Sequence, residues 1–245
     1  MRAAERAELE AVRDWAAASP GGPVSWAESG GAVALRSTAF PVRELNRIVG
    51  LYDPAALDEL APAYEGASFW VALDPEAGLD DELRTRGFAP DYAWQKFERA
   101  RDAVEAHTDL RVVDAESPAH FGTVFAEGYG LPPALGDFAA KVVGRTRWHC
   151  FVAYDGAEPV AAGALYESGD SGWLGGAATL PSHRGRGAQG AILAARVERA
   201  RDRGLRVLVT ETGVPPDGQP GASYRNIVRS GFRPTYVRPN YASPG

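Results

Sequence analysis

Thr179-Leu180-Pro181-Ser182-His183-Arg184-Gly185-Arg186-Gly187-Ala188-Gln189-Gly190-Ala191-Ile192-Leu193 joins a strand-like run, Trp173 to Leu180, to a helix-like run from about Gly190 to Arg203. Its glycines let the backbone turn tightly and approach a ligand. The start of the following helix offers unpaired N–H groups and a partial positive charge. Arg184 and Arg186 add charge-assisted hydrogen bonds that suit a diphosphate. Leu193, Val197 and Ala200 share one helix face that can pack on a sheet. The stretch therefore reads as an anion cradle between a strand and a helix.

A glycine-rich turn of this kind also serves nucleotide sites, so a nucleotide phosphate stands as one alternative ligand. The lysine-bearing GxxxxGK[ST] run is absent. The order Pro181-x-x-Arg184-Gly185-x-Gly187 instead resembles the acetyl-CoA signature of GNAT acyltransferases, [Arg/Gln]-x-x-Gly-x-[Gly/Ala]. Arg184 and Gly187 match it, whereas Gln189 stands where the family has a small residue and Gly190 follows one place later. A second segment, Ser223 to Phe232, resembles the helix and Gly-Phe pair that close GNAT domains. The likeness covers most of the chain from about Leu110 to Tyr241.

Outward from the loop, periodicity and breakers predict helices over Ala3 to Ala18, Pro54 to Tyr64, Asp80 to Arg86, Pro118 to Gly130, Pro132 to Gly144 and Ala222 to Ser230. Strands are expected at Ala32 to Leu35, Ser68 to Leu73, Leu110 to Val113, Trp148 to Tyr154, Val160 to Tyr166, Leu205 to Glu211 and Phe232 to Val237. The order mixes hairpins with a strand-helix-strand unit, so the fold class is α/β, with a mixed sheet of the α+β kind flanked by helices. Gly87-Phe88-Ala89-Pro90-Asp91-Tyr92 is echoed by Gly231-Phe232-Arg233-Pro234-Thr235-Tyr236, each after a short helical pattern. We therefore expect two GNAT-like domains in tandem, a degenerate one over 1–105 and a coenzyme-binding one over 106–245, divided in the charged stretch Arg99 to Thr108. The first half has no Arg-Gly-x-Gly loop.

The resemblance implies acetyl-CoA, or another short acyl-CoA, as acyl donor and no metal. The coenzyme contacts it implies are Arg184, Gly185, Arg186, Gly187, Ala188, Gln189 and Gly190 in the loop, with Ala177, Ala178 and Thr179 on the strand before it. In the family that strand splays from its neighbour and pairs with the pantetheine arm. Gly175 and Gly176 would ease such a kink, although a crowded buried strand would use the same small residues. Asn226 either bonds the arm or caps a turn.

Direct attack on a thioester needs a neutral amine and a proton for the departing thiolate. Base candidates are Glu211, Glu167 and Glu127, none with a distinctive spacing. The family's acid is a tyrosine about four residues before the Gly-Phe pair, where this chain has Ile227. Tyr224 lies one helical turn earlier, and Tyr236 and Tyr241 follow on the last strand. Phe121, Phe125, Tyr129 and Phe138 are candidates for a substrate wall or for plain core. His183 is expected at the surface and His149 in a structural role, and the four histidines show no metal-binding spacing.

Composition narrows the partners. With 245 residues, 45 % apolar and 24 % charged, the chain can bury a sizeable core. A net charge of −6 argues against nucleic acid, which a basic surface would bind. The absence of a long apolar run argues against a membrane partner, and the charged start against a signal peptide, so cytoplasm is expected. Cys150, the single cysteine, excludes an intrachain disulfide and is expected to be a buried small residue. The function expected is transfer of an acetyl or short acyl group to a primary amine of a small molecule or peptide. The alternative is a GNAT-like module that binds acyl-CoA without chemistry. Neither the acceptor nor the oligomeric state is legible in these residues.

Overall fold

Two strand-helix-strand crossovers organise the chain, seen in a computed structural model that describes residues 1–215 and 218–244. In the first half β3 (Arg47–Val49) runs parallel to β4 (Trp70–Ala72), connected through α2 (Pro54–Leu60). In the second, β9 (Ser171–Thr179) runs parallel to β10 (Val207–Gly213), connected through α6 (Ala188–Asp202). A short helix follows each unit: α3 (Asp80–Thr85) and α7 (Ala222–Arg229).

Both short helices end in the same way. Gly87 and Gly231 take left-handed φ values of 84° and 79°. The Phe88 N–H donates to the Leu83 carbonyl at 2.9 Å, and the Phe232 N–H to the Ile227 carbonyl at 3.3 Å. Glycine there closes a Schellman cap without the penalty a Cβ would carry, and the phenylalanine then enters the core. The sequence echo is thus an echo of backbone conformation.

The strands that follow, β5 (Ala89–Ala100) and β11 (Arg233–Ala242), are exchanged. β5 pairs antiparallel with β10 of the second half, and β11 pairs antiparallel with β4 of the first as well as with β5. With β1 (Ser25–Ser29), β2 (Ala32–Arg36), β6 (Arg111–Asp114), β7 (Trp148–Asp155) and β8 (Glu158–Ser168), one eleven-stranded mixed sheet results, ordered β1-β2-β3-β4-β11-β5-β10-β9-β8-β7-β6. The two stretches divided at 105/106 therefore share a single sheet.

Helix α1 (Ala3–Ala17) lies on one face together with α4 (Pro118–Tyr129) and α5 (Pro133–Ala139), over a core that includes Phe121, Val124, Trp148 and Val209. Leu9, Val12 and Ala16 of α1 meet Val33, Leu35 and Phe138. Helices α6 and α7 cover the opposite face, where Leu193, Val197 and Ala200 pack with Phe97, Leu208 and Ile227. Cys150 is buried within the first of these cores, and burial pushes its thiol up to about 12. Strands β1, β3 and β5 are not among those expected: β1 is exposed up to its last residue, β3 has three residues, too few to show a period, and β5 mixes charged and polar residues with its aromatics. Among the described residues no helix is long and apolar enough to cross a membrane.

Candidate coenzyme cleft and transfer site

Strands β9 and β10 pair only from Ser171/Val207 to Leu174/Thr210. The Thr210 hydroxyl donates to the Leu174 carbonyl at 2.8 Å as their last tie. Beyond it, β9 stays with β8 while Glu211, Thr212 and Gly213 follow Lys96, Gln95 and Trp94 of β5. A bulge drives the separation: Gly176 and Ala177 together oppose Gly163, since Ala162 pairs with Ala178 and Ala164 with Gly175. Gly176 is at φ +59°, a left-handed value that favours glycine. A Cβ on Gly163 would lie 2.6 Å from Ile192 of α6, so the bulge is pressed from behind by that helix.

The loop after β9 ends in an uncapped helix. Gly187, at φ +79°, is the N-cap of α6 and has no side chain to accept from the first amides, whereas Asp53 caps α2 and Ser117 caps α4. The first intrahelical bond runs from the Ala191 N–H to the Gly187 carbonyl at 3.0 Å. The amides of Ala188, Gln189 and Gly190 therefore have no partner within the helix and keep their partial positive charge for a ligand.

A cleft of about 1220 Å³ opens between this helix end and α7. Ala177, Ala178, Thr179, Arg184, Gly185, Arg186, Gly187, Ala188, Gln189, Gly190 and Asn226 all line it. Its charged side chains are chiefly arginines, Arg99, Arg184, Arg186 and Arg229, against Glu105. In a chain of net charge −6 the basic character is local. Those residues fit a diphosphate: four guanidinium groups, free helix amides and small side chains along the splayed strand.

Several side chains already have partners. Arg184 donates to the Gly128 carbonyl at the end of α4 at 2.9 Å. Arg186 pairs with Asp155 at 2.5 Å and Asp109 at 3.2 Å. The hydrogen bond from Arg186 holds the Asp155 carboxyl below its ordinary range. Gln189 accepts from Asn226 at 2.5 Å, so the residue that replaces the family's small one bridges α6 to α7. His183 is not a surface group: it is 7 % exposed, with Ser182 at 2.9 Å and Asp155 at 3.3 Å on its two ring nitrogens. The tight 3-10 turn Pro181–His183 folds it inward.

The connection between β5 and β6 also belongs to the cleft, through Arg99 and residues 103–107. A Cβ on Gly187 would lie 2.5 Å from the His107 carbonyl oxygen, and Thr108 donates to the Arg186 carbonyl at 3.0 Å. Sequence reasoning read this stretch as a boundary because it is charged and lacks large apolar residues. Its only signal was an excess of charge, which a solvated linker shares.

The three catalytic candidates are not brought together. Glu211 lies just past the parting of β9 and β10, on the side facing α1, ion-paired with Lys96 at 2.5 Å and Arg238 at 3.4 Å. Glu167 lies away from the cleft, bonded to His149 and Arg203, each at 2.6 Å. Five residues of extended strand separate it from Ala162 in the cleft wall, about 17 Å at the rise of a strand. Tyr224 turns its ring against Phe97, with centroids 5.1 Å apart, and does not line the cleft. Tyr236 donates to Glu5, and Tyr241 donates to Asp80 at 2.6 Å, so neither tyrosine of the last strand faces the splay. Phe121 and Phe138 are core residues, whereas Tyr129 lines the cleft with its hydroxyl on the Ala177 carbonyl at 2.7 Å.

The loop also satisfies Gly-x-Gly-x-x-Gly spacing through Gly185, Gly187 and Gly190. What distinguishes it from a dinucleotide turn is the sheet: the strand before it belongs to an antiparallel hairpin and parts from its parallel neighbour. Residues 111–219 match the acetyltransferase (GNAT) family. That segment, a little under half of the chain, is a GNAT-family domain. A GCN5-related N-acetyltransferase from Kribbella flavida is 19 % identical, with 100 % of this chain and 97 % of that one covered at a TM-score of 0.68. A GCN5-related N-acetyltransferase from Sphaerobacter thermophilus is 16 % identical, covering 96 % and 86 %, at 0.61. A tandem GNAT protein from the clavulanic acid biosynthesis pathway is 15 % identical, covering 91 % and 85 %, at 0.63. At these identities the solved structures establish the fold. No curated protein matches the sequence.

Proposed function

We propose that the protein transfers an acetyl or other short acyl group from acyl-CoA to a primary amine of a small molecule or peptide, by direct attack. One observation carries this reading: an uncapped helix N-terminus in an arginine-lined cleft opens beside two strands that part at Leu174/Thr210. The helix end and arginines suit the diphosphate, and the freed edge of β9 at Ala177 to Thr179 suits the amide-bearing arm of the coenzyme. In this reading the thioester lies at the parting, between the two faces of the sheet, and the amine approaches from the side of α1 and α4. Glu211 is the carboxylate on that side nearest the parting. Held beside Lys96 and Arg238, it acts by orienting the amine and accepting a proton through water.

Coenzyme binding is assigned to the second half. In the first, the helix of the matching crossover is closed by its own side chain, with Asp53 accepting from the Ala55 N–H at 3.0 Å. An acidic cap there repels phosphate and removes a free donor. The remaining partners proposed are an amine-bearing acceptor and neither nucleic acid nor membrane, with the cytoplasm as location. Release of free thiol from acetyl-CoA in the presence of a panel of amines tests the reading. Tight CoA binding without thiol release would favour the non-catalytic module, to which Ile227, buried in place of the family tyrosine, also points. A thermal shift with ATP or NAD alone, and none with acetyl-CoA, would overturn the coenzyme assignment.

A further inference from the structure

Arg196 is the most anomalous charge in the molecule. It is 1 % exposed, and its hydrogen bonds go to three backbone carbonyls, Ile192 at 3.1 Å, Ala164 at 3.2 Å and Gly175 at 3.4 Å. No carboxylate is among its partners in the described residues. A buried guanidinium with neutral partners is costly, and burial lowers its affinity for the proton to about 10. Ala164 and Gly175 are the paired residues that flank the bulge, so Arg196 clasps the two strands where β9 begins to leave β10. Gly163 makes this possible, since a Cβ there would sit 3.2 Å from the Arg196 guanidinium carbon and 3.3 Å from the Ala177 methyl.

Ala177, two residues beyond Gly175 on β9, takes a second side chain. Tyr129, at the last turn of α4, donates its phenol hydrogen to the Ala177 carbonyl at 2.7 Å. Its ring is half exposed in the cleft, but its hydroxyl is turned in on the parted strand. Burial pushes the phenol up to about 12, so it stays protonated at neutral pH. The charged groups that act on it are Arg196 from α6, Glu211 from β10 and Glu44 from the segment between β2 and β3. Arg196 is the cation among them.

We propose that Tyr129 is the proton donor to the departing sulfur and that Arg196 is a positioning residue that holds the bulge under it; this rests on the acyl-transfer reading above. The amine nitrogen forms a bond to the acyl carbon, and the carbon–sulfur bond breaks with its electron pair going to sulfur. Sulfur takes the phenol proton and leaves as a thiol. The proton released by the nitrogen returns, through water, to the Tyr129 oxygen.

The test uses the full chain with Tyr129→Phe, Arg196→Lys and Arg196→Met. With acetyl-CoA and an amine the wild type accepts, Tyr129→Phe is expected to lower kcat by roughly 100-fold or more, with KM for acetyl-CoA changed less than about threefold. A kcat within about threefold of wild type would overturn the assignment. Arg196→Met should lower kcat by about tenfold and Arg196→Lys should recover part of it. A readout free of turnover is the ionisation of the thiol of bound CoA, followed by thiolate absorbance. A donor on sulfur should lower its pKa by about one unit relative to Tyr129→Phe, and equal values would overturn the contact. If the wild type binds CoA but no amine gives thiol, the acyl-transfer reading fails while the titration still decides whether Tyr129 meets sulfur.

Discussion

Lys96 and Glu211 face each other as cross-strand partners on β5 and β10, and their side chains form an ion pair at 2.5 Å. They belong to a buried set in which Glu5 and Glu8 of α1 meet Arg47 of β3, Lys96 of β5 and Arg238 of β11. Three carboxylates and three cations balance. Because each cation comes from a different strand, only the observed strand order brings all of them under α1. The first turns of α1 thereby tie together the strands that the two halves exchange.

Removing one member leaves its partners buried and unpaired. Glu8→Gln is expected to destabilise the protein by about 3–5 kcal/mol at neutral pH, read by urea unfolding. Burial alone would raise the Glu8 carboxyl, but Arg238, Lys96 and Arg47 outweigh it and hold it well below the usual range. A depressed carboxyl contributes stability that is full above the unfolded value of about 4.3 and is lost as pH falls through the folded one. The difference between wild type and Glu8→Gln should therefore shrink as the pH drops below about 4.3. A difference unchanged into strong acid would show that Glu8 does not carry it.

Gly187→Val tests the cradle. A side chain there is strained at φ +79° and its Cβ would meet the His107 carbonyl oxygen at 2.5 Å. The variant should lose about 1–3 kcal/mol of stability and bind CoA at least tenfold more weakly by calorimetry. Gly190→Ala is the control, since nothing lies within 4 Å of a Cβ at that position.

Arg184→Ala should weaken CoA by roughly 10- to 150-fold if the guanidinium makes a charge-assisted bond of about 1.5–3 kcal/mol to phosphate. The loss should fall as salt rises. Unchanged affinity at low salt would leave Arg184 as only the clasp on the Gly128 carbonyl.

Cys150 should resist alkylation in the native protein at pH 8, because burial keeps it a thiol, and react once urea unfolds the chain. Rapid labelling without denaturant would mean that the core around Trp148 and Val152 opens locally.

Much of the second half was legible in the residues. The glycines, the arginines and the strand-to-helix change around Arg184 and Gly187 are local signals, and the helix begins at Ala188 as such signals require. The Gly-Phe echo was legible too, because a left-handed cap is a property of a few adjacent residues. Glu5, Glu8, Lys96 and Arg238 drew no assignment from the sequence, because their burial follows only from four strands converging under α1. Glu167 and Tyr224 are acceptable catalytic residue types, but which side of a strand or helix faces the cleft depends on how the sheet is assembled.

The sequence by itself determined that a glycine- and arginine-rich loop joins a strand to a helix in the second half, and that each half carries a short helix closed by a Gly-Phe pair. Those features rest on contacts within a few residues of one another. Only the tertiary structure decided that the last strands are exchanged, that Arg99 and residues 103–107 join the cleft, and that Tyr129 and Arg196 each bond a backbone carbonyl at the bulge of β9. These depend on pairings across some 30 to 150 residues, which backbone hydrogen bonds and burial specify jointly and no short stretch encodes alone.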